Sequence, residues 1–265
     1  MDPTPRAPLR DGRTAGRGEL RQRLMTAPPP FLLAALDNPN LGEQEILLLL
    51  RNPQAPPALL TRVGRDRRWT RFHEVVRLVT HHRRTPLPLA AALLPRLFWS
   101  ELVEVAGAVQ VRPVLRRRAE QMLRARVDEL TLGERVALAR RASRGLVATL
   151  AASPEPRVLV GLLENPRIVE ADVVRIAAGC RTPAAVLAHL AADRRWGPRR
   201  SVGLALAGNP HTPIPAALGA AARLPPRDLR RLMSDAKVPT IVRVGAERLV
   251  GGSGRHGRAS ARGPA

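Results

Sequence analysis

Asp66-Arg67-Arg68-Trp69 recurs unchanged as Asp193-Arg194-Arg195-Trp196, 127 positions further along the chain. Asn38-Pro39 recurs as Asn165-Pro166 at the same offset, Thr85-Pro86 as Thr212-Pro213, and Ala119-Glu120 as Ala246-Glu247. Arg17-Gly18 matches Arg144-Gly145 in the same register. Anchors so widely spread keep step without a net gap, which marks a duplicated structural block.

Between the anchors the chain follows a regular grammar. Asn-Pro ends a helix, because the residue before proline is pushed out of the α region. Thr85-Pro86, Thr182-Pro183 and Thr212-Pro213 read as starts, with threonine capping free amides and proline at the first helical position. Asn40-Leu41-Gly42-Glu43 and Thr131-Leu132-Gly133-Glu134 read as capping boxes. Leu115, Ala119, Met122 and Leu123 recur at helical spacing, as do Val169, Val173, Ile176 and Ala177. The pattern predicts about fifteen helices of roughly 8 to 15 residues joined by short loops. Helices that short cannot bury their own apolar faces and must stack on neighbours, which is the physics of an α-solenoid. The expected organisation is a disordered Arg/Pro/Gly-rich arm over 1–18, a first block over 19–146, a second over 147–250 continuous with it, and a disordered basic tail over 251–265.

Composition supports an all-α fold. Of 265 residues, 45% are hydrophobic but only 2% aromatic, with no tyrosine, so the core must be built from Leu, Val, Ala and Ile. Long alternating β-branched or aromatic runs are missing, which argues against a sandwich or barrel. The formal net charge is +22, and Lys237 is the only lysine. Such an excess favours polyanionic partners: nucleic acid, anionic lipid or an acidic protein. Cys180 is the single cysteine, which fits a reducing compartment. No apolar run reaches membrane-span length, and Met1-Asp2-Pro3-Thr4-Pro5-Arg6 is not the start of a secretory leader, so a cytoplasmic location is expected.

At Arg51-Asn52-Pro53, Asn165-Pro166-Arg167 and Gly208-Asn209-Pro210-His211-Thr212-Pro213 the chain resembles bacterial HEAT-like solenoids, in particular leucine-rich-repeat-variant proteins. Their repeats carry an Asn-Pro-x-Thr-Pro turn before a leucine-rich helix. Gly208 to Pro213 fits in full; Arg51 to Pro56 has Ala55 for threonine; His81-His82-Arg83-Arg84-Thr85-Pro86 has lost Asn-Pro. The resemblance covers Phe31 to Val250 and implies an all-α fold, a right-handed α-solenoid of stacked short helices, with a binding role. That family's iron–sulfur cysteines have no match here, so no cofactor is implied.

The candidate partner-binding residues are Arg67, Arg68, Trp69, Arg194, Arg195 and Trp196, with Arg116 and Arg117 from a second arginine cluster. Tryptophan could stack on a base or a partner side chain while the arginines hold phosphate or carboxylate. The competing reading makes the tryptophan a plug in a helix–helix hinge, which repetition within stacked helices favours. His73-Glu74 is a lone pair, and His81 and His82 point apart on a helix, so no metal site is expected. No phosphate loop, nucleophile elbow or zinc motif is present, so no catalytic residues are assigned. Two functions remain: a non-catalytic scaffold for a protein partner, acidic in character, or a nucleic-acid binder with an arginine-lined groove.

Overall fold

A computed structural model of the chain describes residues 11–259. Among these residues all regular structure is helical. They group into two compact units divided between Arg126 and Val127. The first contains α1 (Arg17–Arg23), α2 (Pro29–Ala35), α3 (Glu43–Arg51), α4 (Pro57–Arg65), the single turn α5 (Arg67–Thr70), α6 (His73–His81), α7 (Leu87–Leu93), α8 (Trp99–Gly107) and α9 (Pro113–Arg126). The second contains α10 (Leu132–Arg141), α11 (Arg144–Leu150), α12 (Pro156–Leu163), α13 (Glu170–Ala178), α14 (Ala184–Ala192), α15 (Arg200–Gly208), α16 (Ile214–Ala221), α17 (Pro226–Ser234) and α18 (Thr240–Ala259).

Most helices lie at the lower end of the expected range, 8 to 10 residues long, because proline punctuates so often. Proline occupies one of the first two positions of α2, α4, α7, α12, α16 and α17, where its missing N–H is harmless. Helices pack on others two or three further along as well as on immediate neighbours. In the first unit α1 meets α3 and α3 meets α6, while α4 meets α7 and α7 meets α9. In the second, α10, α12, α14, α16 and α18 pack in succession, as do α13, α15 and α17. The seams are aliphatic: Leu49, Leu59, Leu60 and Val79 are fully buried in the first unit, and Leu187, Leu190, Val202 and Leu206 in the second. Each such side chain stabilises its unit by about 1.5–3 kcal/mol.

Helix ends are held by buried asparagines. Asn38 Nδ2 donates to the carbonyls of Gly12 (2.7 Å) and Ala15 (2.9 Å), and Oδ1 accepts the Asn40 N–H (2.8 Å). Asn165 does the same with Ala139 (2.8 Å), Ala142 (3.1 Å) and the Arg167 N–H (2.8 Å), each partner 127 positions on. Asn52 brackets Leu24 and Ala27, and Asn209 brackets Ala177 and Gly179. No described residue, glycine included, has a positive φ, so these side chains do the work that a left-handed cap does elsewhere. At the position 127 residues before Asn209 the first unit has His82, which makes a similar bracket. Its Nδ1 accepts the Arg84 N–H (3.2 Å) and its Nε2 donates to the Asn52 carbonyl (3.2 Å), fixing the neutral Nε2–H tautomer. Burial pushes its pKa below the usual histidine value, opposed by the Asn52 bond and assisted by Arg83 and Arg84.

Four details differ from the sequence reading. Residues 11–18 are not a loose arm: Ala15 is fully buried, and a Cβ on Gly12 would meet the Phe31 carbonyl oxygen at 2.4 Å. At the other end α18 continues past Val250 to Ala259. The expected arm over 1–10 and tail over 260–265 lie outside the described residues. The capping box expected at Asn40 sits two residues later, with the Gly42 N–H donating to Glu45 Oε2 (3.1 Å), whereas the Thr131–Glu134 box forms as read. In two of the three Thr-Pro pairs the threonine caps backwards: Thr85 Oγ1 donates to Val79 O and Thr182 Oγ1 to Ile176 O, both at 2.6 Å. Pro86 and Pro183 are themselves the N-caps, so threonine stands one residue too early to reach the new helix's amides.

Candidate functional site

The Asp-Arg-Arg-Trp stretches are tight turns. Asp66 Oδ1 accepts the Arg68 N–H (2.8 Å), and Asp193 Oδ1 accepts those of Arg195 (2.7 Å) and Trp196 (2.8 Å). The indoles point inward, with Trp69 only 4% and Trp196 3% exposed. The guanidinium of Arg68 lies 4.3 Å over the Trp69 ring, and that of Arg195 lies 4.3 Å over Trp196. Trp196 Nε1 donates to the Leu163 carbonyl (3.4 Å). A ring packed on one side and covered by its own arginine has no face to offer a base, so the hinge-plug reading describes this geometry. Arg67, Arg68, Arg194 and Arg195 remain exposed at the surface. Arg116 and Arg117 lie apart from the Trp69 turn on α9, Arg116 half-buried and Arg117 exposed.

Many arginines serve the fold itself. Arg68 reaches the Leu41 carbonyl (3.0 Å), Arg96 that of Thr70, and Arg126 that of Pro95 (3.4 Å), so successive turns of the first unit are stapled together. Arg223 reaches the Gly197 carbonyl (3.4 Å) in the second. Rungs of charge join helix starts. Glu45 Oε1 accepts from Arg17 Nε (3.0 Å) and Arg21 Nε (2.8 Å), and Arg144 bonds Asp172. His73 Nε2 meets Glu101 Oε2 (2.7 Å), and Arg200 Nη2 donates to Asp228 Oδ1 (2.8 Å). The carboxylates occupy the third helical position, where Glu45, Glu101 and Asp172 also accept the N-cap amide. Burial of Glu45 alone would raise its pKa, but the bonds from Arg17 and Arg21 and the backbone outweigh it and hold it at about 2.

The second unit carries a feature that no motif announced. Between α13, α15 and α17 lies an open groove of about 860 Å³, floored by Val174, Ala178, Leu204, Ala205, Gly208 and Leu232. Ser201, Cys180, Arg231, Asp235 and Lys237 edge it. A neighbouring cleft of about 280 Å³ shares Cys180 and adds Arg175 and Arg181. At positions 127 earlier the first unit has Glu74, Arg77 and His81 where the groove has Ser201, Leu204 and Gly208, and Arg51 where it has Ala178. There Arg77 Nε bonds Glu74 Oε2 (2.7 Å) and Nη1 lies 3.9 Å from Glu104. The Arg77 bond holds the Glu74 carboxyl below its usual range, and burial lowers the His81 pKa. The first unit's own cleft, about 310 Å³ beside Trp69, contains the Arg62–Asp37 ion pair together with Asp66 and Arg68. Comparing the two units position by position at the 127-residue offset is the one sequence signal that could have pointed to the groove.

Among the described residues no group of three or more His, Cys, Asp or Glu is arranged to hold a metal ion, and no helix is long and apolar enough to cross a membrane. No protein-family model matches the chain, and neither a curated protein nor a solved structure matches it significantly.

Proposed function

We propose that the chain is a HEAT-like, leucine-rich-repeat-variant type of α-solenoid, built by tandem duplication, that acts in the cytoplasm as a non-catalytic scaffold for an acidic protein partner. The observation that carries this reading is the groove between α13, α15 and α17. It is broad and apolar-floored, and Arg231 and Lys237 stand at its edge. Apolar depth with a charged rim is the ordinary anatomy of a protein-binding surface. The repeated offset of 127 residues, with equivalent asparagine brackets and charge rungs, supports the duplication.

The second reading, nucleic-acid binding, draws on the net charge of +22 and the exposed Arg67, Arg68, Arg194 and Arg195. It lacks stacking platforms at those arginines, because both indoles are buried. One experiment separates the two: peptide-display selection on the full chain at physiological salt, beside salt-titrated binding of duplex and single-stranded oligonucleotides. Enrichment of acidic, apolar-containing peptides is expected, with oligonucleotide affinity collapsing as salt rises. Selective oligonucleotide binding that persists at physiological salt and is lost in R67S/R68S, with no peptide enriched, would overturn the scaffold reading.

A further inference from the structure

We infer that the groove of the second unit docks a short amphipathic α-helix, apolar on one side and acidic on the other. The inference rests on the scaffold reading and specifies where the partner segment binds and in what form.

The two copies differ where the groove lies. In the first unit, long charged side chains stand at the equivalent positions: Arg77 is tied to Glu74 and approaches Glu104, and His81 follows on the same helix. The second unit has replaced these residues with Leu204, Ser201, Arg231 and Gly208. An internal ion-pair network has given way to an apolar floor, and an acid at the edge has become a base. That exchange removes what would fill the space from within and leaves Leu204 and Ala205 half-exposed.

Helical form follows from hydrogen bonding. The groove walls are helices whose backbone groups are satisfied along most of their length. An extended segment would find few main-chain partners and would leave its own N–H and C=O groups unpaired against apolar side chains. A helix satisfies its own backbone and presents only side chains. Ser201 to Gly208 spans about 10 Å of α15, which accommodates about two turns of a bound helix. The sign of the partner follows from the mouth, where the groove's own charged residues are Arg231 and Lys237 against Asp235. The same charge argues against a second copy of this chain, whose net charge is +22.

The test uses the full chain and a fluorescent synthetic peptide of about fourteen residues, with leucine at helical spacing and glutamate elsewhere. One control replaces glutamate with lysine and another places proline at the centre. The variant S201E/L204R/G208H restores the first unit's residues. A Cβ on Gly208 would lie 3.7 Å from Leu232 Cδ2, an ordinary contact, so a side chain can start from this position without backbone movement. The single variant L204R guards against misfolding of the triple, and circular dichroism checks both. The glutamate peptide is expected to bind at least about tenfold more tightly than either control, and both variants to weaken it at least about tenfold with helicity retained. Unchanged binding to both folded variants would overturn this site while leaving the scaffold reading standing. Equal binding of the proline peptide would overturn the helical form. If no peptide of the set binds but display-selected ligands bind the variants undiminished, the groove is again wrong and the scaffold right. If selection also yields nothing, both fall.

Discussion

Trp69 and Trp196 each sit sealed beneath an arginine, capped by an aspartate on their own turn. Truncating a packed indole leaves a large cavity, so W69A and W196A are expected each to lower stability by about 3–5 kcal/mol in chemical denaturation. R67A and R194A, at exposed positions, are expected to stay within about 0.5 kcal/mol of the parent. His82 gives a second prediction. Its neutral ring accepts the Arg84 amide, and burial lowers its pKa from the ordinary 6.5. The unfolded chain therefore binds more protons at this position as pH falls through 6.5, and stability drops from there downward. His81, lowered in the same direction by burial, adds to the effect. H82N is expected to shrink the difference between melting temperatures at pH 7.5 and pH 5.5, because asparagine makes the same bracket without titrating. Local sequence suggests that the aspartate pairs with an arginine side chain of its own turn, whereas it accepts backbone amides there. The histidine's role was not legible locally, since its partner Asn52 is thirty residues away, and the groove was not, since leucine, serine and glycine advertise nothing.

Among the elements, the rungs between helix starts carry the sharpest expectation. Glu45 is fully buried, while Arg17 and Arg21 face water. E45Q keeps the shape but halves the acceptor strength, and a cost of about 1–2 kcal/mol is expected, moderated by hydration of the arginines. In the parent this contribution is complete above the ordinary carboxyl value of 4.5 and is lost as pH falls from there through about 2. The acid-side slope of stability against pH is therefore expected to flatten in E45Q, read by melts between pH 5 and pH 2. Helices were readable because proline fixes their starts and apolar residues recur at helical spacing. Their ends were less so: in two of the three Thr-Pro pairs threonine serves the helix behind it, a choice made by the geometry of the turn. Carboxylates near helix starts form a local pattern that complements the helix dipole, but the arginines that reach Glu45 lie 28 and 24 residues away, beyond any such pattern.

For the molecule as a whole, charge dominates. Forty-four basic residues face twenty-two acidic ones, and the surplus repels itself across the folded surface. Raising salt from low ionic strength to about 0.2 M shortens the screening length to below about 10 Å and is expected to raise the melting temperature, despite some weakening of surface ion pairs. A fall would mean that those pairs contribute more than the repulsion costs. The all-α character was legible from composition and rhythm, because a chain without tyrosine and with few other aromatics has little but small aliphatic seams to fold around.

The placement of the indoles also gives the chain a built-in optical reporter. With no tyrosine present, ultraviolet-excited emission comes from three chromophores alone: Trp69 and Trp99 in the first unit and Trp196 in the second. Replacing Trp69 and Trp99 by phenylalanine leaves one lamp, shielded from solvent, whose red-shift on denaturation times the opening of the second unit without any attached dye.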